Sequence, residues 1–239
     1  MIKYLFFIFM IIPILVMSQN SSLLFRVGVA TFNMKTQKEF QKGFMQSTDL
    51  PLKPVHTFPA YLTFGGEVAF KTFDQSAMGL WIDYTSTGGT LHYKDYSGYA
   101  RMDQLMKCVQ PGFFYQRQIN TSSMWPFFIT SHFSVVFSKE TIRTELVVGA
   151  TQAVEQIALK SVNFGFRPGV MLQRKFDKFV AQANLGYELH SNGQLKTDDD
   201  TVLTTPDGND LAVQWGGLRF GVGFGVLLNV KKSKAALEE

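Results

Sequence analysis

The sequence predicts an all-β fold, an antiparallel up-and-down barrel of about eight strands. Apolar and polar residues alternate over long segments, which places them on opposite faces because successive Cβ atoms point to opposite sides of a strand. These segments cover roughly 11–17 residues, against about 5–6 for a typical globular strand and about 9–11 for a strand that crosses a bilayer. The connections between them alternate between long and short. Together these observations predict a transmembrane barrel.

The N-terminal segment is predicted to be a cleaved signal peptide. Lys3 precedes an apolar run from Tyr4 to Met17, and the small residue Ser18 follows. The run is shorter than the roughly 20 residues of a membrane-spanning helix. We therefore expect residues 1–18 to direct export, residues 19–230 to form the barrel, and residues 231–239 to be a short polar tail.

The first half of the chain contains four predicted strands. The segments Leu23–Ala30 and Ala60–Lys71 alternate clearly, with Leu, Val and Phe on one face and small or polar residues on the other. The segments Ala77–Tyr93 and Leu105–Ile119 alternate less cleanly, but they have the aromatic and glycine content of strands.

Four further strands are predicted in the second half: Trp125–Ser138, Ser161–Lys175, Phe179–His190 and Leu211–Val230. The last one alternates most clearly. Its apolar face carries Leu, Phe and Val, whereas its other face is mostly glycine. We expect the bulky apolar faces to contact lipid and the small or charged faces to line the interior. A soluble periplasmic barrel, which has the reverse arrangement, is the alternative.

The predicted connections give the barrel an orientation. The long ones are approximately Met34–Pro59, Lys94–Gln104, Lys139–Lys160 and Ser191–Asp210, and short ones separate them. Barrels of the outer membrane have short periplasmic turns and longer outer loops. An even number of strands then places both mature termini on the periplasmic side.

Over roughly residues 21–230, the chain resembles the small outer-membrane β-barrels of the OmpA- and OmpX-like family, including PorT-type barrels. The resemblance rests on the signal peptide, the alternating strands and the glycine-rich segment Gly216–Val226. It implies a location in the outer membrane of a Gram-negative bacterium, contact with outer-membrane lipid and lipopolysaccharide, and insertion by the barrel-assembly machinery. Many members end on an aromatic residue, whereas this chain continues to Glu239; Phe224 is the internal alternative for that signal.

The inward faces predict an interior charge network. The interior of an eight-stranded barrel is just wide enough for side chains, so opposite charges should pair there and not line an open channel. We expect Glu67 and Glu188 to contact arginine or lysine. A regulated path for a small solute or protons is the alternative. The predicted members are Arg26, Glu67, Lys71, Asp83, Arg167, Glu188 and Arg219.

Five aromatic residues are expected at the interfaces between membrane and water, where amphipathic rings are favoured. They are Trp81, Tyr84, Trp125, Tyr187 and Trp215.

No catalytic, metal or cofactor site is predicted. His132 and Ser134 share one strand face, and His190 directly precedes Ser191. Neither stretch reproduces the His and Ser pattern of outer-membrane lipid A deacylases. The acidic run Asp198–Asp200 lacks the alternating ligands of an EF-hand loop and is read as a solvated loop. The net charge of +4 is dispersed, so nucleic-acid binding is not expected.

The sequence therefore predicts a non-enzymatic integral outer-membrane barrel, with recognition of a protein or surface ligand, or a structural or assembly role, in its outer loops. Loop Met34–Pro59 is the main candidate, because Phe40, Phe44, Leu50 and Phe58 lie in an otherwise polar segment. A narrow pore or transport-associated barrel and a lipid-modifying hydrolase are the alternatives.

Overall fold

The computed structural model describes residues 21–47, 51–73, 75–120, 124–205 and 208–228. The predicted signal peptide and C-terminal tail lie outside these residues. The elements in chain order are β1 (Ser21–Ala30), α1 (Lys35–Ser47), β2 (Lys53–Thr57), β3 (Tyr61–Phe73), β4 (Ser76–Lys94), β5 (Gly98–Gln118), β6 (Phe127–Val148), β7 (Thr151–Phe176), β8 (Phe179–His190), β9 (Gly193–Gln194), β10 (Ala212–Val213) and β11 (Gly217–Leu228).

Eight strands form a closed antiparallel ring in the order β4, β3, β1, β11, β8, β7, β6, β5 and back to β4. The first and last strands close it, with Leu23 opposite Val226 and Val29 opposite Phe220. β2 is an additional strand on the outer part of β4. The predicted eight-stranded antiparallel barrel is confirmed.

The barrel has two halves that differ in which face is apolar. In the lower half, at the end where Ser21 and Leu228 lie, Leu, Phe and Val side chains point outward and are exposed. In the upper half, inward residues such as Leu91, Met102 and Ile142 are apolar and buried. The lower half thus resembles a membrane barrel, whereas the upper half resembles a soluble sheet around its own core.

The upper half is a protruding sheet made by the extensions of β4, β5, β6 and β7, with β2 at one edge. The predicted long loops at 94–104 and 139–160 are therefore wrong. They are largely strand, with tight turns at Asp95–Ser97 and Gly149–Ala150. Gly149 has a φ of 57°, a conformation that glycine adopts without steric cost.

The upper half encloses an apolar core capped by α1. The predicted loop Met34–Pro59 thus contains a helix and the short strand β2. Phe40 and Phe44 pack against the core, and Gln37 Nε2 donates to the carbonyl oxygen of Ala212 at 2.8 Å. The core members are Ala30, Phe32, Met34, Phe58, Leu91, Met102, Met106, Cys108, Val136, Ile142, Leu159, Leu195, Leu211, Val213 and Trp215.

Helix α1 is an amphipathic cap of 13 residues. Among the described residues, no helix has both the length and the hydropathy required to cross a bilayer.

Candidate functional site

A continuous apolar belt surrounds the lower half of the barrel. On β7 it runs from Val162 to Leu172, which is about 33 Å of strand and roughly 25 Å along the axis at a tilt of about 40°. This is the height of the apolar band of membrane barrels. Members with 40–68% exposure include Leu23, Phe25, Leu62, Phe64, Leu80, Ile82, Phe113, Phe133, Phe137, Val162, Phe164, Leu185, Leu218, Phe220 and Phe224.

Three of the five predicted interfacial aromatics lie on the outer surface. Tyr84 and Tyr187 are exposed towards the upper end of the belt, and Trp125 is exposed at the lower end, where Arg174 lies over its ring at 4.7 Å. Trp81 and Trp215 are corrections, because they are buried inside the barrel at 3% and 0% exposure.

Six buried charges form one chain of ion pairs across the lower half of the interior. The order is Glu67, Arg26, Asp83, Arg167, Glu188 and Arg219, so that carboxylates and guanidinium groups alternate. Three positive and three negative charges give this network no net formal charge. Pairing of this kind is what allows buried ionised groups to remain without water.

Asp83 is the central carboxylate of the network. Its Oδ1 accepts from Arg26 Nη2 at 2.8 Å, and its Oδ2 accepts from both terminal nitrogens of Arg167 at 3.1 Å. Gly65 on β3 leaves room for this carboxylate, since a Cβ at that position would lie 1.9 Å from Asp83 Oδ1. The arrangement links three strands through one side chain.

Glu188 holds the other end of the network. Arg167 Nε donates to its Oε2 at 2.5 Å, and His190 Nε2 lies 3.2 Å from its Oε1. Arg219 Nε lies 3.9 Å from the same carboxylate and donates from another nitrogen to the carbonyl oxygen of Thr31 at 2.6 Å. The network is thereby joined to the backbone below the upper core.

Aromatic rings pack against the charged groups. The guanidinium of Arg167 lies 4.6 Å from the centroid of Trp81, and that of Arg26 lies 5.5 Å from it. His132 is stacked on Phe114 and makes an edge contact with Trp81, both at 5.4 Å between centroids. Little empty space remains: a cavity of about 20 Å³ lies beside the arginines.

Lys71 does not join the network. Its backbone position points it inward as predicted, but it lies at the lower mouth of the barrel and its side chain is exposed. There it borders a polar cavity of about 430 Å³ together with Lys175, Gln116 and Gln173. Lys71 lies four residues beyond Glu67 on β3, about 13 Å of strand closer to the lower mouth than that carboxylate.

The upper core contains one buried acid. Glu140 is fully buried, and its Oε1 accepts from Gln104 Nε2 at 3.0 Å. It lies three residues beyond Phe137, the last belt residue of β6. Burial raises the pKa of this carboxyl to about 7. Nearby, Trp215 Nε1 donates to Ser138 Oγ at 2.8 Å.

The histidine and serine residues considered for hydrolysis are buried or hydrogen-bonded within the barrel. His132 and Ser134 are both buried and face the interior, away from the belt. Ser191 Oγ accepts from the backbone N–H of Phe164 at 3.0 Å. Within the described ranges, no group of three or more His, Cys, Asp or Glu side chains is placed to hold a metal ion.

A polar groove of about 930 Å³ lies on the outside of the upper half, between β7 and the segment that follows β8. Lysine, acidic and amide side chains border it, among them Lys160, Lys196, Asp198, Asp210 and Gln194. Asp198 contacts Lys160 at 2.6 Å, and Asp210 accepts from Gln194 at 2.6 Å. The acidic run Asp198–Asp200 therefore contributes to a groove of mixed charge.

Sequence reasoning placed the charged residues inside because they share the inward face of their strands. It missed Trp81 and His190 as parts of the same site. Trp81 lies two residues before Asp83 and therefore on the same strand face. Likewise, His190 lies two residues after Glu188. A spacing of two residues from a predicted interior carboxylate was therefore the signal that could have identified both residues.

No protein-family model and no curated protein sequence matches the chain. Among solved structures, it is similar to Ail, the attachment invasion locus protein of Yersinia pestis, with a TM-score of 0.39, 11% identity, and coverage of 88% of this chain and 99% of that chain. A second structure of Ail, in complex with the heparin analogue sucrose octasulfate, gives a TM-score of 0.38 at 12% identity and the same coverage. The N-terminal β-barrel domain of Pseudomonas aeruginosa OprF gives 0.30 at 12% identity, covering 88% of this chain and 98% of that domain. At these scores the similarities carry no argument about function, and the fold rests on the strand pairing described above.

Proposed function

We propose that this chain is an integral outer-membrane barrel whose lower half spans the bilayer and whose protruding sheet recognises another protein. The observation that carries the membrane part is the apolar belt, which covers all eight ring strands at the height of a bilayer core. The end with Ser21 and Leu228 then faces the periplasm, and α1 with the protruding sheet faces the cell exterior.

Membrane insertion is tested by fractionation and by gel mobility of unheated and heated samples. The wild-type chain is expected in the outer-membrane fraction, with a mobility that changes on heating. The variant Phe133→Lys places a charge in the middle of the belt and should destabilise the inserted barrel by about 2–4 kcal/mol.

The matched control is Leu105→Lys, which lies on the outer face of β5 above the belt and should insert normally. Phe133→Ala separates the introduced charge from the lost stacking with Phe113. A water-soluble wild-type protein without heat-dependent mobility would contradict the proposal.

Recognition is assigned to the open edge of β7. Residues 151–157 are all exposed, and on the side away from β6 they pair with no strand among the described residues. Lys160 exchanges both of its backbone hydrogen bonds with Lys196, on the side away from β6. Since backbone groups alternate along a strand, those of Gln152, Val154 and Gln156 point to the same open side. An extended segment of another protein fits this edge by strand addition.

The edge is tested with phage-displayed ten-residue peptides selected on the refolded barrel. Val154→Pro removes an outward N–H without removing a bond to β6, and should reduce binding of the selected peptides at least tenfold. Val154→Thr keeps the N–H and should bind as the wild type does. Equal binding to both variants, or no selected peptides, would contradict strand addition.

The interior does not support the pore alternative. The ion-pair network leaves about 20 Å³ beside its arginines, and the upper core, capped by α1, lies above it. No arrangement of the described residues favours the hydrolase alternative.

A further inference from the structure

Four lysines lie side by side on the outer face of the barrel. Lys107 is directly opposite Lys139, Lys139 is opposite Lys160, and Lys160 forms a bridge with Lys196. All four are exposed. Neighbouring strands are about 4.8 Å apart, so this lysine row extends over roughly 14 Å.

The lysine row lies directly above the apolar belt. Two residues below it on the same face, the neighbouring strands carry Tyr84, Val109, Phe137 and Val162, all of them apolar or aromatic. Two residues of strand correspond to about 6.6 Å. Flexible lysine side chains at this height reach the boundary between acyl chains and headgroups.

The positive charge of the row is least compensated at Lys107 and Lys139, because Lys160 and Lys196 border the groove that also contains Asp198, Asp200 and Asp210. Like charges directly opposite each other on neighbouring strands are destabilising. Asp198 contacts Lys160 at 2.6 Å, but both side chains are exposed, and such pairs contribute little. Within the described ranges, Lys107, Lys139 and Lys196 form no ion pair with a carboxylate. The row is therefore suited to an anion from outside the chain.

We propose that the lysine row binds the phosphate groups of lipopolysaccharide in the outer leaflet. The inference rests on the proposed function, which places the upper end of the belt at that leaflet. A free anion would fit the charge of the lysines. A phosphorylated glycolipid with acyl chains fits both their charge and their position directly beside the belt. Its phosphates contact the lysines while its acyl chains cover the apolar residues below.

The test measures binding of purified lipopolysaccharide to the refolded barrel in phosphatidylcholine bicelles at low salt. The row variant carries Lys107→Gln, Lys139→Gln and Lys160→Gln. Each lysine beside an anionic lipid is expected to strengthen binding about fivefold, so the triple variant should bind on the order of a hundredfold more weakly. The control carries Lys35→Gln, Lys38→Gln and Lys42→Gln on α1, which removes the same charge and should bind normally.

Dephosphorylated lipid A and phosphatidylglycerol identify the group that is bound. Both are expected to bind more weakly than lipopolysaccharide. The proposal is overturned if the row variant binds like the wild type, if removal of phosphate has no effect, if phosphatidylglycerol binds equally well, or if the wild type does not bind. Heat-dependent gel mobility in the same samples shows separately whether the barrel has inserted, and thus distinguishes failure of the lipid site from failure of the membrane assignment.

Discussion

Among single residues, Asp83 has the greatest effect on the interior network, because its two oxygens bind arginines from two different strands. Arg26 also contacts Glu67, and Arg167 also contacts Glu188. Removal of the central carboxylate would leave both arginines with fewer anionic partners while they remain buried. Loss of one partner of a buried pair is strongly destabilising.

We therefore expect Asp83→Ala to lower the free energy of unfolding by about 3–5 kcal/mol. Denaturant titration of the refolded barrel in micelles measures it through tryptophan fluorescence, to which Trp81 contributes from its position against Arg167. Asp103→Ala is the control, since Asp103 pairs with Arg101 on the outer surface and should change stability by less than about 1 kcal/mol. Equal effects of the two changes would show that the interior pairs do not stabilise the barrel.

Glu140 predicts a pH dependence of stability. Its pKa is raised to about 7 in the folded state, so the folded chain binds a proton more tightly than the unfolded chain. The stabilisation is fully present below the unfolded pKa of about 4.5 and is lost as the pH rises through 7. The loss corresponds to about 2.5 kcal/mol between pH 5 and pH 8.

Glu140→Gln should remove this decline, because glutamine keeps the shape but does not titrate. Unfolding titrations at pH 5 and pH 8 measure the difference. Glu145→Gln on the same strand is the control, since hydrogen bonding from Tyr99 lowers the pKa of that half-buried carboxyl. A decline that persists in Glu140→Gln would assign the pH dependence to other groups.

At the scale of elements, β6 and β7 each belong to both halves of the barrel. The belt and the ion-pair network use only their lower parts, so the end of the hairpin should be dispensable for the barrel. Thr144 and Glu155 lie opposite each other, with the backbone groups of Glu155 directed towards β6, and can be joined by a two-residue Asn-Gly turn.

A chain that lacks residues 145–154 should therefore insert and retain its heat-dependent gel mobility. It should no longer bind the peptides selected on the open edge of β7, because Gln152 and Val154 are removed. Loss of insertion in this chain would show that the halves depend on each other.

The same two strands show why part of the fold could not be predicted from the sequence. In the lower half the apolar residues of each strand alternate outward, and this alternation predicted all eight ring strands. On β6 most apolar side chains up to Phe137 are outward, with Phe128 and Val136 as the inward exceptions, whereas the next apolar residue after Phe137, Ile142, is inward. The polar residues 138–141 separate the two phases and resemble a loop. Helix α1 was missed because its core partners come from distant strands.

The interior site was more predictable than its surroundings. The alternation of side chains along each strand is sufficient to put Arg26, Asp83 and Glu188 on inward faces. It does not show which charges are near enough to pair. Lys71 has the same parity and is excluded only by its height in the barrel. Trp215 precedes the last strand, and only its contacts with Phe32 and Ser138 place it in the upper core.

For the whole molecule, two separate layers close the interior, the ion-pair network and the upper core. We expect no discrete openings in planar-bilayer recordings of the wild type. Asp83→Ala should also show none, because it disturbs only the lower layer. Reproducible single-channel steps in either protein would contradict this prediction and favour a transport role.

Cys108 is the single cysteine of the sequence, and it lies in the upper core at 1% exposure. A thiol reagent can reach it only when that core opens, so the rate of alkylation measures how often the cap moves away from the barrel. The rate should be insensitive to Asp83→Ala if the upper core opens independently of the layer below. One side chain thus makes the opening of the upper core observable while the lower half of the barrel stays folded.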